Sequence, residues 1–150
     1  MFLQKIKQMK KILVTIFAVL FGFQVSQTFA QSDELVNVCA LGIGNATYLK
    51  DYKVKMSGSS VSPPVTKFNV IMNKGTMYKL TACNAEGYPG KAVVQLGEKA
   101  TVLGTNLKSD GTFVKAIGFQ CQKTGMYSIS ISFKDGKEGA AVVILSYINM

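Results

Sequence analysis

An all-β fold, built as a two-sheet β-sandwich of eight or nine short antiparallel strands, is what this sequence predicts, and three observations carry it. Residues 125–133, Gly-Met-Tyr-Ser-Ile-Ser-Ile-Ser-Phe, alternate almost without a break. Tyr127, Ile129, Ile131 and Phe133 fall on one face and three serines on the other, the period-2 mark of a half-buried strand. Turn signals then recur at short intervals along residues 31–150, and no helical period of useful length interrupts them. Finally, residues 140–148 are apolar on both faces until Ser146, as expected of a strand at the centre of its sheet.

The first thirty residues stand apart. Lys5, Lys7, Lys10 and Lys11 precede an apolar run over 12–23, and Thr28-Phe29-Ala30 supplies a small-x-small cleavage site, the three parts of a secretory signal peptide. The apolar run is too short to span a hydrocarbon core of roughly 30 Å. The expected organisation is therefore a cleaved leader, 1–30, and a single β-sandwich domain, 31–150, with no stable membrane span after cleavage. Such a chain is exported, to the periplasm or outside a bacterial cell.

Within the domain, 31–34 reads as a polar, disordered start and 35–41 as a first strand. Gly42-Ile43-Gly44-Asn45 makes a turn, and 48–56 resumes alternation with Tyr52, Val54 and Met56 against Asp51, Lys53 and Lys55. The Ser/Pro-rich stretch 57–64 reads as a long surface loop inside one domain, since too few residues precede it to form a core of their own. Residues 68–72 and 78–82, joined at Lys74-Gly75, read as a hairpin. A turn-rich loop follows over 84–90, then two short strands, 92–96 and 100–103, around Gly97-Glu98. Asp110-Gly111 marks another turn before Phe113, Ile117 and Phe119 head inward along a strand ending at Cys121. Lys134-Asp135-Gly136-Lys137 is the strongest hairpin signal in the chain, because Asp-Gly suits the positive φ angles of a type I′ turn.

Composition excludes several functions. Of 17 basic residues four leave with the leader, so 13 stand against eight acids and the net charge falls from +9 to +5. All are lysines. Without arginine the chain lacks the residue best suited to bidentate phosphate recognition, and no basic-and-aromatic stripe is present, so nucleic acid is not an expected partner. Histidine is absent, which removes the commonest general base and transition-metal ligand and rules out a Ser-His-Asp or Cys-His site.

Three cysteines remain after processing: Cys39, Cys83 and Cys121. An oxidising compartment allows one disulfide among three pairings. Cys83 with Cys121, both at the ends of expected strands, is the favoured pair, and three buried thiols acting as small hydrophobes are the alternative. No CxxC spacing points to zinc or redox chemistry. Asp51, Asp110 and Asp135 could offer oxygen ligands to calcium, but turn and solvent-face roles account for them, and neither a metal nor a cofactor is expected.

Residues 119–131, Phe-Gln-Cys-Gln-Lys-Thr-Gly-Met-Tyr-Ser-Ile-Ser-Ile, resemble the closing strands of secreted jelly-roll domains, including bacterial pre-peptidase C-terminal domains. The likeness implies a jelly-roll-like sandwich. The cysteines depart from that pattern, and no binding residue is carried over.

Tyr48, Tyr52, Tyr88, Tyr147 and Phe113 could build a platform for a glycan or peptide, though most lie on inward phases where core packing explains them. Tyr88, between Gly87 and Pro89 in a loop, is the expected exposed contact. No nucleophile, base or carboxylate pair sits in a recognisable motif, so an enzyme is not expected. The sequence thus points to a non-enzymatic binder of a surface glycan or envelope protein. The alternatives are an assembly subunit of an envelope complex and, behind it, a carboxylate-dependent hydrolase. Function is to be sought in the loops 57–64 and 84–90.

Overall fold

The computed structural model describes residues 27–148, with side chains from Ser32 onward. Most of the expected leader therefore lies outside the described residues. The described residues form one α-helix, α1 (Gln27–Leu41), and eight strands: β1 (Thr47–Met56), β2 (Thr66–Met72), β3 (Met77–Asn84), β4 (Ala92–Glu98), β5 (Thr101–Thr105), β6 (Ala116–Gln120), β7 (Gly125–Phe133) and β8 (Gly139–Ile148). Residues 31–148 belong to one compact unit.

The strands make two four-stranded antiparallel sheets, in the order β1-β8-β3-β6 and β2-β7-β4-β5. Only β4 and β5 are neighbours both in sequence and in a sheet. Every other connection crosses from one sheet to the other, which is the winding of a jelly roll. The expected sandwich is therefore the fold, with eight strands.

Period-2 patterning places the core between the sheets. From β7, Tyr127, Ile129, Ile131 and Phe133 point inward and are all buried, while the serines face out. They meet Tyr52, Val54 and Met56 of β1, Tyr78 and Leu80 of β3, and Val143 and Leu145 of β8. Burying each of these large side chains stabilises the fold by roughly 1.5–3 kcal/mol before chain entropy is counted. β8 is central, between β1 and β3, as its two apolar faces require.

Three local expectations are corrected. Residues 31–41 are helical, neither a disordered start nor a strand. Leu35, Val36, Cys39 and Ala40 pack inward while Asp33, Glu34, Asn37 and Val38 face water, a spacing of one helical face. The segment is short and valine-bearing, so it also reads as a strand, and the packing decides. α1 lies on the outer face of the first sheet, where Cys39 and Ile43 form a second small core with Val142 and Ile144.

Neither expected hairpin pairs its own strands. β2 and β3 lie in different sheets, and so do β7 and β8. Turn chemistry at 134–137 is as expected, because Asp135 (φ 60°) and Gly136 (φ 64°) both adopt left-handed conformations. The strands it joins, however, pair elsewhere: Phe133 with Ala92 of β4, and Gly139 with Met56 of β1. A tight turn at a sandwich end serves a sheet-to-sheet crossing as well as a hairpin, and local sequence does not separate the two. The β4–β5 pair is a true hairpin, with its turn at Lys99-Ala100, Lys99 at φ 54°.

The disulfide is also corrected. Cys39 of α1 is bonded to Cys83 of β3, Cα to Cα 5.8 Å, and Cys121 is a buried free thiol. Parity explains why Cys83 and Cys121 do not pair. On β3, Tyr78 and Leu80 point into the core, so Cys83 points out towards α1. Cys121 belongs to the core between the sheets.

Candidate functional site

Four connections, residues 57–65, 85–91, 106–115 and 134–138, meet at one end of the sandwich, because jelly-roll winding brings alternate loops to the same end. The 134–138 turn is their hub. Its Gly136 carbonyl accepts from the Ser59 amide at 2.7 Å, and its Glu138 carbonyl accepts from the Gly90 amide at 2.8 Å. The Lys134 amide donates to the Lys91 carbonyl at 2.9 Å, and Lys134 Nζ donates to the Gly111 carbonyl at 3.4 Å. Glycine is required where the backbones touch. A Cβ on Gly136 would collide with the Ser59 carbonyl, and one on Gly90 would come within 2.6 Å of the Glu138 carbonyl.

Three of these loops enclose an open cleft of about 520 Å³. The 85–91 loop contributes Pro89 and Lys91, the 106–115 loop Gly111, Thr112 and Phe113, and the 134–138 turn Lys134, Asp135 and Lys137. Lys134 Nζ stands 5.9 Å from the centre of the half-buried Phe113 ring, a cation–π arrangement. Behind the lining, Asp110 Oδ1 accepts from both the amide (2.9 Å) and the hydroxyl (2.6 Å) of Thr112. Those two bonds, the hydroxyl's first, hold the Asp110 carboxyl below its ordinary pKa.

The loops singled out from sequence thus do come together. Tyr88 is half-buried at this end, with Lys55 Nζ 5.6 Å from its ring centre. It does not line the cleft, which takes its neighbour Pro89 and the ring of Phe113 instead. Sequence reading placed Phe113 on an inward strand, whereas β6 starts only at Ala116. Of the other rings, Tyr52 is buried against Phe68 at 4.6 Å between centroids, Tyr147 packs on the core, and Tyr48 is exposed on β1. Tyr48 donates to Asp51, and that bond raises its pKa to about 12.

A second opening of about 480 Å³ lies on the outer face of the second sheet, bordered by Lys67, Asn69, Glu98, Lys123, Met126 and Ser128. Beside it Ile71 and Met126, opposite one another on β2 and β7, are both exposed. Cys121 is not at either opening. It faces Tyr127 in the core, whose hydroxyl donates to the Lys123 carbonyl at 2.6 Å, and the contact with the Cys121 thiol, followed by burial, raises the Tyr127 pKa to about 12. Among the described residues no three acidic or cysteine side chains converge on a metal site, and no helix is long and apolar enough to cross a membrane.

Fold and site together define a jelly-roll sandwich with a preassembled loop-end cleft. Among solved structures, the periplasmic inhibitor of g-type lysozyme PliG from Aeromonas hydrophila is similar, with a TM-score of 0.50 and 12% identity over 68% of this chain and 88% of its own. The pre-peptidase C-terminal domain of a collagenase from Bacillus anthracis is similar as well, with a TM-score of 0.49 and 11% identity over 66% of this chain and 89% of its own. The second is a domain of the kind whose closing strands the sequence resembles, and at 12% identity the first is a likeness of fold alone. No family model matches the sequence, and no curated protein matches it.

Proposed function

We propose that this chain is an exported, non-enzymatic binding protein that holds a macromolecular partner, a glycan or another protein, at its loop end. The observation that carries the reading is the cleft itself. Its walls are three loops already bonded to one another through the 134–138 turn, so little ordering entropy opposes binding. Its lining mixes a ring, ammonium groups and a hydroxyl, an apolar surface with a few polar groups converging on it, as in a recognition site. Export is supported by the leader-like first thirty residues and by a disulfide between Cys39 and Cys83, a bond favoured in oxidising compartments. That a periplasmic inhibitor of a lysozyme uses a similar fold is in keeping with a sandwich that grips a macromolecule.

Capture from an envelope fraction by the full-length secreted protein tests the reading. A specific partner should be retained by the wild type and lost from Phe113→Ala, because Phe113 lines the cleft. The Ile71 and Met126 pair, exposed on the second sheet, favours a second reading as an assembly subunit. Loss of the partner from Ile71→Ser with retention by Phe113→Ala would select it.

A further inference from the structure

We infer that the ligand of the loop-end cleft is an acidic sugar, a ring bearing a carboxylate or sulfate, presented as one unit of a longer glycan. The inference rests on the binding reading above and gives its ligand a chemistry. The cleft volume, about 520 Å³, lies within the roughly 300–1,000 Å³ of small-ligand sites, so it accommodates a saccharide unit.

Its polar groups fit that unit in both signs. Lys91, Lys134 and Lys137 line the cleft, and a lysine ammonium is a point charge that suits the dispersed oxygens of a carboxylate or sulfate. Lys134 is already held, its Nζ on the Gly111 carbonyl and near the Phe113 ring, so less freedom is lost when it pairs with an anion. Sugar hydroxyls also need acceptors. Thr112 gives its hydroxyl proton to Asp110, leaving its oxygen to accept, and Asp135 adds an exposed carboxylate. The Phe113 ring offers an apolar surface for the C–H face of a sugar.

Asp135 decides between acidic ligands. A polyacidic peptide would gain from the lysines, but its ionised side chains carry no proton to donate to that carboxylate. An acidic sugar uses the lysines for its anion and Asp135 for its hydroxyls.

Titration calorimetry on the full-length secreted protein tests the assignment, with oligogalacturonate, a heparin oligosaccharide, dextran and poly-glutamate as probes. Binding of oligogalacturonate or heparin, weakened by added salt and absent for dextran and poly-glutamate, is the expected result. The better of the two sugars then separates carboxylate from sulfate. Phe113→Ala and Lys134→Gln should each weaken binding roughly tenfold. Lys137→Gln, at an exposed position that folding tolerates, should weaken it about threefold, and Lys67→Gln on the open sheet face should leave it unchanged. Poly-glutamate binding as tightly as the sugars, equal losses from Lys67→Gln, or no binding of any sugar would overturn the inference. If no sugar binds while an envelope partner is still captured and lost from Phe113→Ala, only the ligand assignment falls. If the loop-end variants alter neither sugar binding nor capture, the binding reading falls with it.

Discussion

The two outer faces of this sandwich are finished in opposite ways. On the first sheet, Val142 and Ile144 of β8 point away from the core between the sheets and are nonetheless buried, Ile144 at 0% exposure, because α1 and Ile43 cover them, and Ser146, buried on the same face, donates to the Lys79 carbonyl. On the second sheet none of the described residues covers β7, whose outward residues are Met126, at 63% exposure, and three half-buried serines. The outward residues differ as the environments do: apolar where a cover is needed, hydroxyl where water serves. A strand apolar on both faces is therefore a demand for a second covering element, and a strand with serines on alternate positions makes none. The cover is stapled by the Cys39–Cys83 disulfide and tied by the Lys53–Asp33 ion pair, so the closed face is also the cross-linked one.

Breaking that staple should produce the largest loss. Cys39 and Cys83 are 44 residues apart, and opening a loop of that length costs about 4 kcal/mol on the chain-entropy account. Cys39→Ala with Cys83→Ala should lower the urea midpoint accordingly and open 31–41 to proteolysis. Cys121→Ala removes a thiol that bonds to no other cysteine and should cost about 1 kcal/mol through lost packing alone. Equal losses from both would contradict the assigned pair.

The faces themselves come next. Ile144→Ala should cost about 3 kcal/mol by leaving a cavity beneath α1. Ser130→Ala, on the open face, should stay within about 0.5 kcal/mol of wild type. Equilibrium unfolding of the two variants in parallel measures the asymmetry directly.

Much of this was legible in the residues. The alternation of β7, the buried centre of β8 and the turn at Asp135-Gly136 are local patterns, and each is found where it was read. Sheet membership was not, since a turn of the same type can close a hairpin or cross the sandwich, and only distant pairings such as Phe133 with Ala92 tell which. α1 was missed because its short apolar run satisfies a strand as well as a helix. One signal for it was present: β8 needed a cover. The disulfide was within reach too, since Tyr78 and Leu80 on the inward phase put Cys83 on the outward one. The loop end was legible only as a set of loops. Tyr88 stood out because Gly87 and Pro89 mark its loop, whereas Phe113 reaches the cleft from a segment that reads as strand. Asn106 carried no signal at all, although its buried side chain accepts from the Val94 amide at 2.7 Å and donates to the Ala92 carbonyl at 2.9 Å, extending the β4 ladder.

The closed face holds a polar flaw that offers a gain. Thr81 is fully buried and, among the described residues, its hydroxyl oxygen has no hydrogen-bond partner. Thr81→Val replaces that hydroxyl by a methyl of similar volume and removes an unsatisfied group, so it should raise stability by about 1 kcal/mol. A higher urea midpoint with unchanged slope would show it. A loss would mean that a water or a shifted side chain satisfies the hydroxyl.

The smallest effect belongs to the loop end, and it is read through pH. Asp110 has its carboxyl pKa lowered by the Thr112 hydroxyl and amide, which bond the charged form. The unfolded chain lacks those bonds and titrates near the ordinary value of about 3.9. As pH falls, the unfolded state takes up its proton first. The stabilisation is therefore complete above the unfolded pKa and is lost as pH drops through the lower folded one. Asp110→Asn removes this dependence, so the wild type should lead it at neutral pH and the two stability curves should converge in acid. Because Asp110 is exposed, added salt should narrow the gap without moving the pH at which it closes to neutral values. A gap that persists unchanged into strong acid would show that the carboxylate holds the 106–112 turn through its shape and not its charge. Thr112 would then keep the same orientation in the cleft at every pH, and the acceptor role of its oxygen would not depend on the ionisation of Asp110.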